Sequence, residues 1–195
     1  SITIPNSVTN IGYGVFSGCS SLTSIVVAEG NTVYDSREKC NAIIDTATNT
    51  LIYGCQSTII PDSVTSIGDK AFDRCESLAA ITIPNSIQSI GYKAFSICKS
   101  LKSITIPDSV TSIGERAFEY CKSLESIAIG NSVKSIDYHT FFRCSLLTDV
   151  TIGNSVTYIG SGAFYNCSSL TSVTCLATNP PAIGNAFLYI GSPST

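Results

Sequence analysis

A period of 23 residues constrains this chain more than any other feature. Residues 103 to 125 read SITIPDSVTSIGERAFEYCKSLE and residues 126 to 148 read SIAIGNSVKSIDYHTFFRCSLLT. Phe recurs at 72, 95, 118, 141, 164 and 187, and Cys at 75, 98, 121, 144 and 167. Leu recurs at 78, 101, 124, 147 and 170, and Gly or Asp at 68, 91, 114, 137 and 160. A short unit cannot bury its own apolar face, but it can do so against a neighbouring copy, so fixed repetition of this kind predicts a solenoid.

One unit predicts one coil. In Leu101-x-x-Ile104-x-Ile106 the last two apolar residues alternate, as in a half-buried strand. Pro107 then ends the strand because it has no N–H to donate, and Gly130 and Gly153 take its place in later units. Val110 and Ile113 point inward on the return, and Gly114 permits a sharp corner. Phe118, Cys121 and Leu124 follow at three-residue spacing, which predicts a short helical or 3₁₀ turn with one buried face. Strands at 2–4, 25–27, 58–60, 81–83, 104–106, 127–129, 150–152 and 173–175 are expected to form one parallel sheet. The whole chain, 1–195, reads as a single array with a partial last unit at about 176–195.

The rhythm breaks once, at about 28–57. There NAIID and TLIYG flank the polar turn TATN, which predicts a β-hairpin and the only departure from the solenoid. The chain opens on SITIP, inside a unit, and stops without an evident polar cap, so a fragment of a longer protein is expected.

Composition narrows the function. Only 13% of residues are charged and the net charge is −3, with no basic stripe, which disfavours nucleic acid. No apolar run approaches the roughly 20 residues of a membrane-spanning helix. The single histidine, His139, stands where other units carry Lys93 or Arg116, and reads as a solvated surface residue without a Ser-His-Asp set around it. Asp69, Asp73, Glu76, Glu115 and Glu119 are interspersed with Lys70, Arg74, Arg116 and Lys122, which reads as a solvated face and not as a glycosidase pair. No catalytic set, cofactor motif or metal-ligand spacing is present, so no enzyme activity and no cofactor are expected.

Nine cysteines call for an account. The ladder from Cys75 to Cys167, with Cys19 in phase, reads as small buried apolar side chains, since equivalent residues in stacked units point the same way. Cys40 and Cys55 differ. If residues 46–49 form the turn, Asp45 faces Thr50 and Cys40 faces Cys55, within reach of a disulfide. Alternatively Cys55, which stands 23 residues before Leu78, is the core residue of its own unit.

The outward strand positions, among them Thr82, Ser103, Thr105, Ser126, Ala128 and Thr151, are small and nearly uncharged, and lack the Tyr, Trp and Arg anchors of binding hot spots. The tyrosines lie elsewhere. Tyr13, Tyr92 and Tyr138 follow the corner residue, and Tyr34 and Tyr53 lie in the insertion. A binding patch is expected along that corner rim or at the insertion.

The unit L-x-S-I-T-I-P-x-S-V-T-S-I-G-x-x-A-F-x-x-C-x-S, carried almost letter for letter by residues 78–100 and 101–123, resembles the BspA-like leucine-rich repeat family, also called the Treponema pallidum type. The resemblance covers nearly the whole chain and implies a curved, right-handed α/β solenoid with a parallel β-sheet on the concave side and short helical turns on the other. It further implies an extracellular or cell-surface protein, non-catalytic, that adheres to host extracellular-matrix or plasma proteins or to other bacterial surface proteins. The rival expectation is a structural spacer or stalk with no ligand of its own.

Overall fold

The computed structural model describes residues 1–12 and 14–187. Each regular coil has three sides. On the first, strands Ser103–Ile106, Ser126–Ile129, Asp149–Ile152 and Ser172–Cys175 form a parallel sheet in which each residue pairs with the one 23 positions on. Ile104 and Ile106 point inward and are buried, while Ser103 and Thr105 face solvent, as the alternation predicts. The second side is a ladder of two-residue strands, such as Ser66–Ile67, Ser89–Ile90 and Ser112–Ile113, also parallel.

The third side corrects an expectation. Helical turns were expected after the corner glycine, but these segments are runs of tight turns. In one coil the N–H groups of Ala117, Glu119 and Cys121 bond the carbonyls of Gly114, Arg116 and Phe118 at 3.3, 3.1 and 3.3 Å. The alternate N–H groups, of Arg116, Phe118 and Tyr120, donate to Tyr138, Thr140 and Phe142 of the next coil at 3.0, 2.9 and 2.8 Å. Arg116 and Tyr120 both have φ of +58°, the left-handed conformation that ends a helix but closes a turn. Among the described residues the helical content is one three-residue 3₁₀ segment, Arg37–Lys39. The three-residue spacing of Phe, Cys and Leu does mark a buried face; successive turns generate it as readily as a helix does.

This turn ladder runs unbroken from Lys70 to Ala186. Beneath it, the rings of Phe72, Phe95, Phe118, Phe141, Phe164 and Phe187 stack with centroids 4.9 to 5.5 Å apart. The cysteine ladder has its own reason. The carbonyls of Phe72, Phe95, Phe118 and Phe141 each accept the Cys N–H of their own coil and also the thiol of the next, as when Cys121 Sγ donates to the Phe95 carbonyl at 3.1 Å. Cys98, Cys144 and Cys167 do the same at 3.1 to 3.2 Å. The position requires a small apolar side chain with a weak donor, which describes a thiol.

The other two ladders are interrupted, and the sequence explains where. The first-side sheet was expected to run through all eight coils. Instead Ile2–Ile4 pairs with Ile25–Val27, the four long strands form a separate sheet, and residues 58–60 and 81–83 form no strand. In closed junctions the residue after the later strand is not proline. Ala28 and Leu176 donate their N–H to Ile4 and Ile152 of the preceding coil at 2.8 and 2.9 Å. At Gly130 the coils approach so closely that a Cβ would lie 2.5 Å from the Pro107 carbonyl oxygen. The open junctions are those whose later strand ends in Pro84 or Pro107, which lack the N–H and carry a ring. The corner ladder obeys a similar rule. A Cβ on Gly114 would lie 2.6 Å from the backbone of Gly91 and Tyr92. Asp137 is the one corner from 68 to 160 that carries a side chain, and the ladder breaks there, between Ser112–Ile113 and Ser135–Ile136.

The hairpin forms as expected from Ala42–Asp45 and Thr50–Gly54, with Asp45 opposite Thr50. It does not leave the solenoid. Thr50 and Leu51 pair in parallel with Ser66 and Ile67, so the hairpin takes the place of a coil. Its two faces serve two cores: Ile44 and Leu51 join the main array, whereas Ile43 and Tyr53 pack with Ile4, Ile25 and Val27 of the first coils. A bulge shifts the pairing between Ile43 and Ile44. That shift removes the direct opposition of Cys40 and Cys55, and both stand as free, buried thiols in separate core clusters. Cys55 Sγ instead donates to the Asn41 carbonyl at 3.4 Å.

Candidate binding surface

Two of the five singled-out tyrosines stand in the open. Tyr92 and Tyr138 follow the corner residues Gly91 and Asp137 and are 38% and 40% exposed. Each meets a cation from the turn side: Lys93 Nζ lies 5.6 Å from the Tyr92 ring centre, and the Arg116 guanidinium lies 5.2 Å from that of Tyr138.

Those cations are held from below. Glu119 is only 2% exposed, against the expectation of a solvated residue. Its carboxylate accepts from Lys93 Nζ and Arg116 Nη1, each at 2.9 Å, and from Ser96 Oγ at 3.2 Å. A carboxylate this deep is tolerated because two cations and a hydroxyl satisfy it. The side chain at this place changes from coil to coil, through Asp73, Ser96, Glu119, Phe142 and Tyr165, and that change is the signal the sequence offered. From Phe142 on, the strip turns aromatic. Tyr138 stacks on His139 with ring centres 3.7 Å apart, His139 on Phe142 at 4.3 Å, and Arg143 lies 5.3 Å from the Phe142 ring centre. His139 is therefore sandwiched, not freely solvated, and its Nδ1 is buried without a hydrogen-bond partner. Desolvation, and then the nearby Arg116 charge, lower its pKa.

The insertion tyrosines play another part. Tyr34 and Tyr53 are 7% and 5% exposed. Tyr53 donates its hydroxyl proton to the Gly12 carbonyl at 2.7 Å and accepts from the Val15 N–H at 3.1 Å. Tyr34 accepts from the Ile11 N–H at 3.2 Å. Both clip the first coils to the hairpin, and burial removes them from any binding surface. The register shift in the hairpin is what turns Tyr53 toward the first coils while Leu51 faces the main array, and period-2 alternation alone does not show it. Tyr13 lies outside the described residues. The exposed positions of the long strands, Ser103, Thr105, Ser126, Ala128 and Thr151, form the bland face that was expected. No helix among the described residues is long and apolar enough to cross a membrane.

Six copies of the BspA-type leucine-rich repeat region match the chain, over residues 1–42 and 42–171. The chain belongs to the BspA-type leucine-rich repeat family. Its coils superpose on those of solved bacterial repeat proteins. A leucine-rich cell surface protein of Faecalibacterium prausnitzii is 32% identical with a TM-score of 0.79, over 91% of this chain and 48% of that one. A leucine-rich repeat protein of Eubacterium ventriosum is 28% identical with a TM-score of 0.80, over 88% of this chain and 47% of that one. The Treponema pallidum leucine-rich repeat protein is 25% identical with a TM-score of 0.59, over 87% and 77%. The chain thus spans about half the length of the first two relatives. Among curated proteins none matches. Leucine-rich repeat proteins of this kind are, as a class, protein-interaction modules built by stacking.

Proposed function

We propose that this BspA-type array is a non-catalytic surface module that binds host matrix or plasma proteins, or other bacterial surface proteins, through its corner rim. The carrying observation is the exposed pair Tyr92 and Tyr138, each set against a cation that the buried Glu119 immobilises. Tyr and Arg dominate binding hot spots because they bury large areas at small entropic cost when already held in place. An extracellular or cell-surface location is supported by the Faecalibacterium relative, described as a cell surface protein. The coil is taken as right-handed, the hand of nearly all parallel crossovers, and the array as one unit over 1–195.

The spacer reading draws on a different observation, the small, weakly charged outer face of the long strands. A screen of the purified chain against immobilised fibronectin, fibrinogen, collagen, laminin and mucin, at controlled salt, separates the two. Saturable binding that Tyr92→Ala and Tyr138→Ala weaken by tenfold or more supports the rim; binding to none of them supports the spacer.

A further inference from the structure

The turn side carries a cation with no counterion. Arg143 is exposed, and among the described residues its guanidinium enters no ion pair and no hydrogen bond. Two rings hold it instead. Its guanidinium carbon lies 5.3 Å from the centre of Phe142 and 5.6 Å from that of Tyr120. Those rings are themselves fixed, Tyr120 edge-on against Phe142 at 5.4 Å and Phe142 stacked on Tyr165 at 5.2 Å. Aromatic contact places a guanidinium but leaves its N–H donors open to a ligand. The coils that follow offer no carboxylate to fill them: no residue after Asp149 is charged, and Asp149 stands in a long strand on the first side.

Arg143 ends a line of contacts. Arg116 lies over Tyr138, Tyr138 stacks on His139, His139 stacks on Phe142, and Arg143 lies against Phe142. Arg116 gives one N–H to Glu119 and keeps the others, and Glu119 is already shared with Lys93. We propose that this strip receives an acidic segment of a partner protein, with carboxylates taken by Arg116 and Arg143 and an apolar side chain between them resting on Tyr138 and Phe142. A nucleic acid or sulfated glycan fits less well, because two fixed cations on a chain of net charge −3 are too few for a continuous polyanion. Separated guanidinium groups with aromatic surface between them match side-chain carboxylates spaced by apolar residues. The proposal extends the rim reading and rests on it at Tyr138 and Arg116, whereas Arg143, Tyr120 and Phe142 lie beyond the rim. His139 couples the strip to pH. The charges that act on it are Arg116, Glu119 and Glu115, with Arg143 across Phe142, and Gly162, which packs against the imidazole from the next coil, brings none. A bound carboxylate favours the imidazolium, so binding tightens as pH falls through the range in which histidine titrates.

The test is a titration of the whole chain with a labelled, end-blocked peptide, EFEDFE. Saturable binding is expected. It should weaken by about tenfold or more when the acidic residues become amides, as in QFQNFQ, or when Arg143→Asn removes the guanidinium. Asn166 holds the equivalent place in the next coil at φ +60°, against +59° for Arg143, so the turn accepts this substitution. Arg143→Lys, which keeps the charge without the planar fork, should give an intermediate loss. Tyr92→Ala should leave binding unchanged. His139 is the only histidine, so its ring resonances report on the strip alone. Saturating EFEDFE should raise the pH at which they titrate, and binding at about pH 5.5 should be about threefold tighter than at about pH 7. Absence of saturable binding up to millimolar peptide overturns the proposal, as does equal binding of QFQNFQ, binding that Arg143→Asn leaves intact, or a histidine titration that the peptide does not move. Binding lost in Tyr92→Ala and kept in Arg143→Asn would uphold the rim and overturn the strip. Binding of EFEDFE through Arg143, with no matrix or plasma protein bound, would uphold the strip and overturn the rim reading.

Discussion

Replacing Pro107 by glycine should close the open junction between residues 81–83 and Ser103–Ile106, and the expected effect can be worked from the neighbouring junction. Where the later strand ends in Gly130, four residues pair in register, Ser103 to Ile106 with Ser126 to Ile129. Pro107→Gly supplies the missing N–H and removes the ring that holds Ile81–Ile83 away from Ser103–Ile106. A closed junction of this length adds about three hydrogen bonds, each worth about 1 kcal/mol net. Against this, the substitution loosens the unfolded chain, first by losing the proline ring and then by gaining a glycine, at a cost of about 2 kcal/mol in all. The net gain in global stability is therefore about 1 kcal/mol and only modestly visible in a urea midpoint. Local exchange is the sharper assay. Amides of residues 81–83 that have no partner in the native chain should exchange freely, and in the variant they should be protected by about a hundredfold, the factor that about 3 kcal/mol of local opening energy implies. Two results refute the reasoning. If these amides are already as protected as those of Ile127 and Val150 in the native chain, the sheet is not split. If they stay unprotected in Pro107→Gly while the protein remains folded, proline does not cause the split.

Four other expectations follow from the packing. In the folded protein a thiol reagent should modify Cys19 and Cys175 alone, since the rest are buried and burial pushes thiols such as Cys121 and Cys167 up to about 12; in denaturant without reductant all nine should react, and a count of seven would restore the Cys40–Cys55 bond. Phe118→Ala, at the middle of the ring stack, should cost about 3–5 kcal/mol in urea unfolding, and a cost below about 1 kcal/mol would deny the stack a stabilising part. Tyr53→Phe, which removes the clip to Gly12 and Val15, should cost about 1–3 kcal/mol and speed exchange in residues 1–27 more than in 100–170. His139 has a lowered pKa in the fold, so the unfolded chain binds the proton more readily; stability is complete above the ordinary histidine pKa and declines as pH falls through it toward the folded value. His139→Asn, which keeps a residue tolerant of φ +56°, should flatten that decline between pH 7 and 5, and an unchanged pH profile would exclude the effect.

Much of this architecture was written plainly in the sequence. The 23-residue register, the inward Ile pairs, the hairpin around residues 46–49 and the buried cysteine ladder all follow from periodicity and side-chain size. Most of the misreadings share one cause: they depend on how a coil meets its neighbour, which no single unit displays. Pro84 and Pro107 were legible as strand stops, but their effect falls on the strand of the preceding coil. Asp137 reads as a tolerated variant of a corner glycine until the equivalent corner at Gly114 is seen, where a Cβ would lie 2.6 Å from the backbone of the preceding coil. The turn side looked helical because spacing reports which residues are buried and not the sign of φ. Tyr34 and Tyr53 looked like sticky surface because the hairpin was expected outside the stack; once it replaces a coil, both of its faces are interior. Glu119 was hidden for a related reason, since its partners Lys93 and Ser96 lie in the unit before.

The unbroken turn ladder has a mechanical consequence. Pulled along its axis, a stack of coils shares the load among its parallel lines of hydrogen bonds. Here one line is continuous from Lys70 to Ala186, while the long sheet is open ahead of Ser103 and the corner ladder is open between Ile113 and Ser135. The two gaps lie on different sides of the coil. Under tension the array should therefore bend first at two places and in two directions, hinged on the turn side, before any coil unravels. A stack built this way should yield elastically at low force while every coil remains folded.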